Sequence, residues 1–303
     1  MKKVVICGLG AVGLTYAVKF FLAQNVELKI LVDESRLKKF RIKKPVFNNK
    51  EYDFDYILPE ENFDSDLILI ATKFQGLETA ISYIKNCIQP KTKIISLING
   101  ISSEEIIQKA YPGNKVIKSY FIGHSAVREG NKVTQDGVGK IVMEKDSELE
   151  KFFSDCGICY ETPKDIEYSM WLKYTFNLFS NQTSAILNMT FGEMRRNDEF
   201  IKFAKKIISE VKQIAVHKNI NNLDKMETDA INSLNLMCEE GKTSMLQDIL
   251  SGNKTEAEIF GGEIVRLGKL YGVDTPYNQV LYDLIKIKEK DNELSFHSCQ
   301  RRK

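Results

Sequence analysis

The sequence predicts an α/β fold: a doubly wound parallel sheet followed by a mostly α-helical C-terminal domain. In the first half, short apolar runs alternate with helical segments, as in a sheet with crossover connections. One of these runs, DLILIAT at residues 66–72, is continuously apolar, which is typical of a strand buried on both faces. After about Pro163 the apolar spacing becomes helical throughout. We therefore predict domains at residues 1–165 and 166–303.

The predicted elements follow from these periodicities. Strands are predicted at residues 4–7, 27–33, 66–72, 92–98, 115–122 and 139–143. Helices of the first domain are predicted at residues 11–24, 76–86 and 103–109. Helices of the second domain are predicted at residues 165–187, 198–218, 225–238, 255–271 and 278–292. The polar end of the chain, from Glu293 through Lys303, is predicted to fray.

The composition excludes several classes of protein. The chain of 303 residues carries a formal net charge of +2, which does not indicate a nucleic acid or a membrane surface as partner. No apolar run approaches the roughly 18 to 20 residues of a membrane helix, and no signal peptide is evident. Six cysteines are too few for a disulfide scaffold, so we expect reduced thiols in a cytoplasmic protein. Cys156 and Cys159 have no second pair at ligand spacing, so no metal site is predicted and their role stays open.

The turn between the first strand and the first helix is rich in glycine. It consists of Gly8, Leu9, Gly10, Ala11, Val12 and Gly13. The first glycine permits a tight turn, the second lets the backbone approach a pyrophosphate, and the third lets the helix pack against the sheet. The free N–H groups at the helix N-terminus then face the phosphates. The sequence thus predicts a Rossmann-type domain that binds a dinucleotide.

The end of the second strand bears on which dinucleotide binds. Asp33 follows Gly13 by 20 residues, at the position that meets the adenosine ribose in this fold. An acid there favours NAD because it repels a 2′-phosphate. Four basic residues follow closely and suit that phosphate, although they also fit a solvated helix face: Arg36, Lys38, Lys39 and Arg41. The local sequence therefore leaves NADPH and NADH open.

Polar residues in the second domain form two clusters. Lys173, Asn177 and Asn181 are spaced at i, i+4 and i+8 and share one face of a predicted helix among apolar neighbours. Such groups are costly to bury unused, but the spacing alone leaves two alternatives open: a functional face, or a partly exposed stripe that contacts only water. The second cluster, within residues 242–258, contains Ser244 and Glu256. Its composition indicates a loop and the start of a helix.

Seven segments together resemble the ketopantoate reductase (2-dehydropantoate 2-reductase) family over nearly the whole chain. They are GLGAVG at 8–13, ATKFQ at 71–75, LING at 97–100, WLKYTFNLFSNQ at 171–182, SMLQD at 244–248, TEAE at 255–258 and GVDTPYN at 272–278. Their order and spacing, rather than any one of them, carry the resemblance. It implies reduction of the ketone of 2-dehydropantoate to (R)-pantoate, on the route to pantothenate and coenzyme A, usually with NADPH.

The resemblance also implies residue roles. Lys173 matches the catalytic lysine, and Glu256 matches an acidic residue shared by substrate and cofactor. An alkoxide forms when a hydride reaches a ketone carbon, and a lysine ammonium can stabilise and protonate it. Residues implied to bind substrate are Asn177, Asn181, Ser244 and Asn99. Lys73 and Asn99, at the ends of two strands, are implied to contact the cofactor near the nicotinamide.

Three residues depart from the family pattern or stay outside it. Asp33 is unexpected in an NADPH enzyme, Glu258 stands where aspartate is more usual, and we assign His124 no catalytic role. Two alternatives remain: a reductase of another 2-oxo acid on the same scaffold, and a non-enzymatic NAD(P)-binding sensor. A sensor does not need the polar clusters of the second domain, so an enzyme with a small 2-oxo acid substrate is favoured. A homodimer through the helical domain is compatible with the sequence.

Overall fold

The computed structural model describes residues 1–123 and 125–300, so His124 and residues 301–303 lie outside the described part of the chain. The chain divides into two compact units, Met1–Ile166 and Glu167–Lys303. Among the described residues, no helix combines the length and the hydropathy of a membrane span.

The first unit contains the strands and five of the helices. Its strands are β1 (Lys3–Cys7), β2 (Glu27–Leu31), β3 (Val46–Phe47), β4 (Lys50–Glu51), β5 (Tyr56–Ile57), β6 (Leu67–Ile70), β7 (Lys93–Ser96), β8 (Lys115–Ile117), β9 (Ser119–Ile122), β10 (Ser125–Glu129), β11 (Lys132–Asp136), β12 (Lys140–Met143) and β13 (Tyr160–Glu161). Its helices are α1 (Ala11–Leu22), α2 (Glu34–Ile42), α3 (Leu77–Tyr83), α4 (Ser103–Ala110) and α5 (Ser147–Asp155). Short 3-10 turns at Phe74–Gly76 and Ile84–Cys87 flank α3.

The main sheet has six parallel strands in the order β5-β2-β1-β6-β7-β8. Its central strands are buried on both faces, since every residue of β6 and four of the five residues of β1 are buried. The chain runs from β1 outward to β2 and β5, and then returns to β6 on the other side of β1. This doubly wound arrangement confirms the predicted fold class, and it puts the ligand crevice where the carboxyl ends of β1 and β6 meet.

Two smaller sheets differ from the prediction. The segment predicted as one strand at 115–122 forms β8 in the main sheet and β9 in a three-stranded sheet, β13-β12-β9. The apolar pattern continues across this bend, so periodicity does not reveal that the chain changes sheet. The other sheet, β10-β11-β3-β4, was not predicted, because its short strands lack an apolar run.

The second unit is helical, as predicted. Its helices are α6 (Ile166–Leu187), α7 (Phe191–Arg196), α8 (Asp198–His217), α9 (Met226–Asn235), α10 (Ser244–Leu250), α11 (Glu263–Tyr271) and α12 (Pro276–Gln300). The segment predicted as one helix over 255–271 is a π-helical turn, Glu258–Gly262, that leads into α11. The final helix extends to Gln300, over most of the segment that was predicted to fray.

A buried carboxylate holds the start of α12. Glu210 of α8 is 4% exposed and accepts hydrogen bonds from the backbone N–H groups of Tyr277 (2.8 Å) and Asn278 (3.1 Å). It also accepts one from the Asn278 side chain, at 2.7 Å. The GVDTPYN segment therefore has a structural task, since it docks the first turn of α12 against α8.

Candidate active site

The glycine loop is built by the backbone of β1, the loop itself and the end of β6. Gly8 has φ +105°, and a Cβ there would lie 2.7 Å from the carbonyl carbon and oxygen of Ala71. A Cβ on Gly13 would lie 1.8 Å from the carbonyl oxygen of Gly8. No side chain can occupy either space, so these two glycines are required by the fold of the loop itself.

Gly10 is different, because no described residue comes close enough to require a glycine there. A Cβ at Gly10 would have only the Ala71 carbonyl oxygen near it, at 3.8 Å, which is ordinary contact. Gly10 is the N-cap of α1 and has no side chain that could bond the free N–H groups of the helix. The first turn of α1 carries no acidic residue. The helix thus presents unblocked N–H groups to an anion, and the open space at Gly10 suits a close-lying pyrophosphate. The loop fits the dinucleotide that the sequence implies.

Asp33 has a structural task of its own. It is the N-cap of α2: one carboxylate oxygen accepts the N–H of Arg36 at 2.8 Å, and the other lies 3.7 Å from the Arg36 guanidinium. The arginine therefore offsets part of the charge that would repel a 2′-phosphate. Lys38 forms an exposed pair with Glu34 in the same helix, which matches the solvated-face interpretation of that residue.

An arginine that the sequence analysis missed contacts the glycine loop. Arg128 of β10 donates from Nη1 to the carbonyl oxygen of Leu9 at 2.8 Å. Burial and the neighbouring Arg36 charge both lower the pKa of Arg128. The guanidinium group of Arg128 therefore lies directly beside the loop. No spacing rule points to Arg128, because it lies in an unpredicted hairpin 119 residues after Leu9.

Lys73 and Asn99 follow β6 and β7 at the same edge of the sheet as the glycine loop. Lys73 is exposed and caps the 3-10 turn after β6, and Asn99 is half-buried in the loop after β7. The buried hydroxyl of Thr72, beside Lys73, has no hydrogen-bond partner among the described residues. The backbone N–H of Thr72 adjoins Gly8, so this unsatisfied hydroxyl belongs to the edge where the cofactor is expected.

In the second unit, α6 contains the predicted face of Lys173, Asn177 and Asn181 in one continuous helix. Lys173 and Asn177 are half-buried, and Asn181 is 4% exposed. Neither asparagine amide hydrogen-bonds to another group in the described part of the chain. Both amides therefore keep donors and acceptors available, so the pair is suited to bind polar groups of a ligand.

Ser244 lies beside the end of α6 that carries Asn181. It is exposed at the first position of α10, directly after the N-cap Thr243. The Thr243 hydroxyl is 2.6 Å from that of Ser184, which in turn donates to the carbonyl oxygen of Asn181 at 3.0 Å. A helix was not predicted at 244–250, where the composition indicated a loop, but the structure brings the two clusters together.

Glu256 is half-buried and precedes the π-helical turn, which packs directly on α6. The Tyr174 hydroxyl donates to the carbonyl oxygen of Phe260 at 2.8 Å, and the two rings stack with centroids 6.2 Å apart. A Cβ on Gly261 would lie 2.3 Å from the Gln182 side-chain oxygen, so glycine permits this contact. Tyr174 adjoins Lys173, and π turns are frequent at functional sites.

The two cysteines of open role differ in burial, since Cys156 is half-buried and Cys159 is exposed. Cys156 and Cys159 are both free thiols, and burial raises the pKa of Cys156 to about 11, which keeps it protonated. Within the described residues, no group of three or more His, Cys, Asp or Glu side chains is arranged to hold a metal ion.

Comparison with known proteins identifies the family. A family model described as ketopantoate reductase PanE/ApbA matches residues 4–148, and the model of its C-terminal part matches residues 165–289. The 2-dehydropantoate 2-reductase of Aquifex aeolicus is 26% identical over 308 residues, covering 96% of this chain and 98% of that protein. The enzyme of the same name from Pyrococcus horikoshii is 29% identical over 233 residues, 74% of this chain and 76% of its own length.

Solved structures show the same architecture. A ternary complex of D-mandelate dehydrogenase with NADH and anilino(oxo)acetate has a TM-score of 0.83 at 25% identity, over 96% of this chain and 99% of that one. A PanE/ApbA family ketopantoate reductase from Ralstonia eutropha has the same fold, with a TM-score of 0.81 at 22% identity and the same coverage. The two family models together span most of the chain, which therefore belongs to the ketopantoate reductase family of NAD(P)H-dependent oxidoreductases.

Proposed function

We propose that this enzyme is a 2-dehydropantoate 2-reductase, which uses NADPH to form (R)-pantoate for pantothenate and coenzyme A synthesis. Residues 1–165 bind the cofactor and residues 166–303 bind the substrate. The observation that carries the proposal is the α6 face, where the Lys173 ammonium lies in a row with the side-chain amides of Asn177 and Asn181. The proposal includes a cytoplasmic location, which the free thiols of the described cysteines support.

A nicotinamide cofactor, when bound at the glycine loop, would supply the hydride. Lys173, as an ammonium, stabilises the oxyanion that develops on the substrate and donates the proton that completes the alcohol. Glu256 balances the charge of Lys173. The amides of Asn177 and Asn181 and the hydroxyl of Ser244 hydrogen-bond to the hydroxyl and carboxylate oxygens of the substrate.

NADPH is supported by two guanidinium groups, those of Arg36 and Arg128. Arg36 pairs with Asp33, and Arg128 holds the Leu9 carbonyl. A guanidinium matches the geometry of a phosphate group, which makes Arg36 and Arg128 suitable partners for a 2′-phosphate. Asp33 is occupied as a helix cap and so does not by itself favour NADH. Lys73 and Asn99 complete the cofactor contacts.

A second candidate is a reductase of another 2-oxo acid that uses NADH. The observation that favours it is the likeness to D-mandelate dehydrogenase, whose solved complex contains NADH and an aryl-substituted oxo acid derivative. An acid at position 33 is compatible with that cofactor.

Initial rates distinguish the two candidates. The purified enzyme is assayed with 2-dehydropantoate, benzoylformate and a series of aliphatic 2-oxo acids, each with NADPH and with NADH. We expect the highest kcat/KM for 2-dehydropantoate with NADPH. A higher value for another 2-oxo acid with NADH would establish the second candidate, and no reduction of any 2-oxo acid would contradict both.

A further inference from the structure

The last helix, α12, contacts the segment that carries Glu256. Tyr282, Lys286 and Glu289 are spaced at i, i+4 and i+7, so they lie on one side of α12. All three bind residues of the TEAE segment or one another. None of these residues was singled out from the sequence, although their helical spacing places them on one face.

Glu289 anchors the residue immediately before Glu256. One of its carboxylate oxygens accepts both the backbone N–H of Thr255, at 2.9 Å, and the Thr255 hydroxyl, at 2.7 Å. The same hydroxyl accepts the N–H of Ala257 at 3.2 Å. Glu289 is 9% exposed and Thr255 1% exposed, so water cannot easily replace these hydrogen bonds.

Glu258 is anchored from the same face of α12. The Tyr282 hydroxyl donates to one of its carboxylate oxygens at 2.8 Å, and Lys286 donates to the other at 2.9 Å. Lys286 also pairs with Glu289 at 3.0 Å, which joins the two anchors. Its hydrogen bond with Glu258 is the main cause that raises the pKa of Lys286, so the ammonium stays charged at neutral pH. Glu256 is thus flanked on both sides by residues that α12 holds.

We propose that Glu289 is a positioning residue for Glu256: it fixes the backbone at Thr255, so that the neighbouring carboxylate keeps the orientation required for reduction. The inference rests on the proposed function, because it assigns Glu256 a part in the reaction. Charge-assisted hydrogen bonds to backbone N–H groups are strong and directional, which suits this task. Loss of the acceptor would leave the Thr255 N–H buried without a partner, and the segment would have to shift.

The test compares Glu289→Ala with Glu289→Gln, which keeps an acceptor oxygen for Thr255. Glu210→Ala is the matched control, because Glu210 is also a buried carboxylate and accepts hydrogen bonds from backbone N–H groups in the first turn of α12. For Glu289→Ala we expect kcat to fall at least tenfold at temperatures where the variant is folded. Glu289→Gln should recover kcat to within threefold of the wild type, and Glu210→Ala should keep kcat within twofold at temperatures where it is folded.

Amide hydrogen exchange of the 255–258 segment provides a readout that does not depend on turnover. We expect faster exchange in Glu289→Ala but not in Glu210→Ala. If Glu289→Ala does not fold, Thr255→Val replaces it and should lower kcat at least threefold. An equal loss of kcat in the Glu289 and Glu210 variants, or faster exchange without loss of kcat, would overturn the proposal. Failure of the wild type to reduce any 2-oxo acid is a separate result that contradicts the proposed function itself.

Discussion

The glycine loop of the first unit and the α6 face of the second unit are built by different means. The loop lies within six consecutive residues, and its shape depends on backbone atoms that exclude a Cβ at Gly8 and Gly13. The α6 face depends on side chains, and the groups that pack on α6 come from other segments, the π-helical turn and the start of α10. Steric exclusion therefore determines which residues the glycine loop accepts, whereas hydrogen bonds and charge determine which residues the α6 face accepts.

This difference predicts how each region responds to substitution. Substitutions that fill the closed space at Gly8 or Gly13 should destabilise the fold. Substitutions at open positions of the glycine loop should change stability little. Substitutions in the α6 face should lower the turnover rate while the protein stays folded. Substitutions at three places test this contrast: at Lys173, in the glycine loop and at Arg36.

The largest effect is expected at Lys173. Lys173→Ala should reduce kcat by about 10²- to 10⁴-fold, because the proton donor and the positive charge at the oxyanion are both lost. The free energy of unfolding should change little, since Lys173 is only half-buried. Steady-state kinetics and cofactor titration by fluorescence check both points. Turnover near that of the wild type, or loss of cofactor binding in parallel with turnover, would contradict the assignment.

The next effect is expected in the glycine loop, where Gly13→Ala and Gly10→Ala form a matched pair. The Gly13 substitution should lower the free energy of unfolding by more than about 3 kcal/mol, because the new Cβ overlaps the Gly8 carbonyl. The Gly10 substitution should change it by less than about 1 kcal/mol, because space is open there. Dinucleotide affinity should nevertheless fall in Gly10→Ala. Chemical denaturation and cofactor titration measure the two quantities, and equal destabilisation by both substitutions would refute the steric account.

The smallest effect is expected at Arg36, whose guanidinium pairs with the Asp33 carboxylate at the start of α2. Arg36→Ala should raise the KM for NADPH about tenfold and leave that for NADH within twofold, because only NADPH carries a 2′-phosphate. Lys38→Ala is the control, since Lys38 pairs with Glu34 on the exposed side of the same helix. Equal changes in the KM for NADPH and for NADH would show that Arg36 does not bind the 2′-phosphate.

Much of the fold could be predicted because its strongest patterns are local. The apolar runs of β1 and β6 and the helical spacing of α6 are properties of short segments, and they led to the correct fold class. The β10-β11 hairpin was missed because polar, exposed strands show no apolar alternation. The bend between β8 and β9 was missed because both sides of it are apolar. In each case the deciding interaction is with another part of the chain.

The sequence by itself determined the glycine loop and the shared face of Lys173, Asn177 and Asn181. Steric exclusion within a tight turn and the 3.6-residue period of a helix act over a few residues, so no distant partner is needed. Only the tertiary structure decided that Arg128 reaches the Leu9 carbonyl and that Glu289 holds the residue before Glu256. Those contacts join segments 119 and 34 residues apart, and a hydrogen bond forms between them only where packing brings donor and acceptor within about 3 Å.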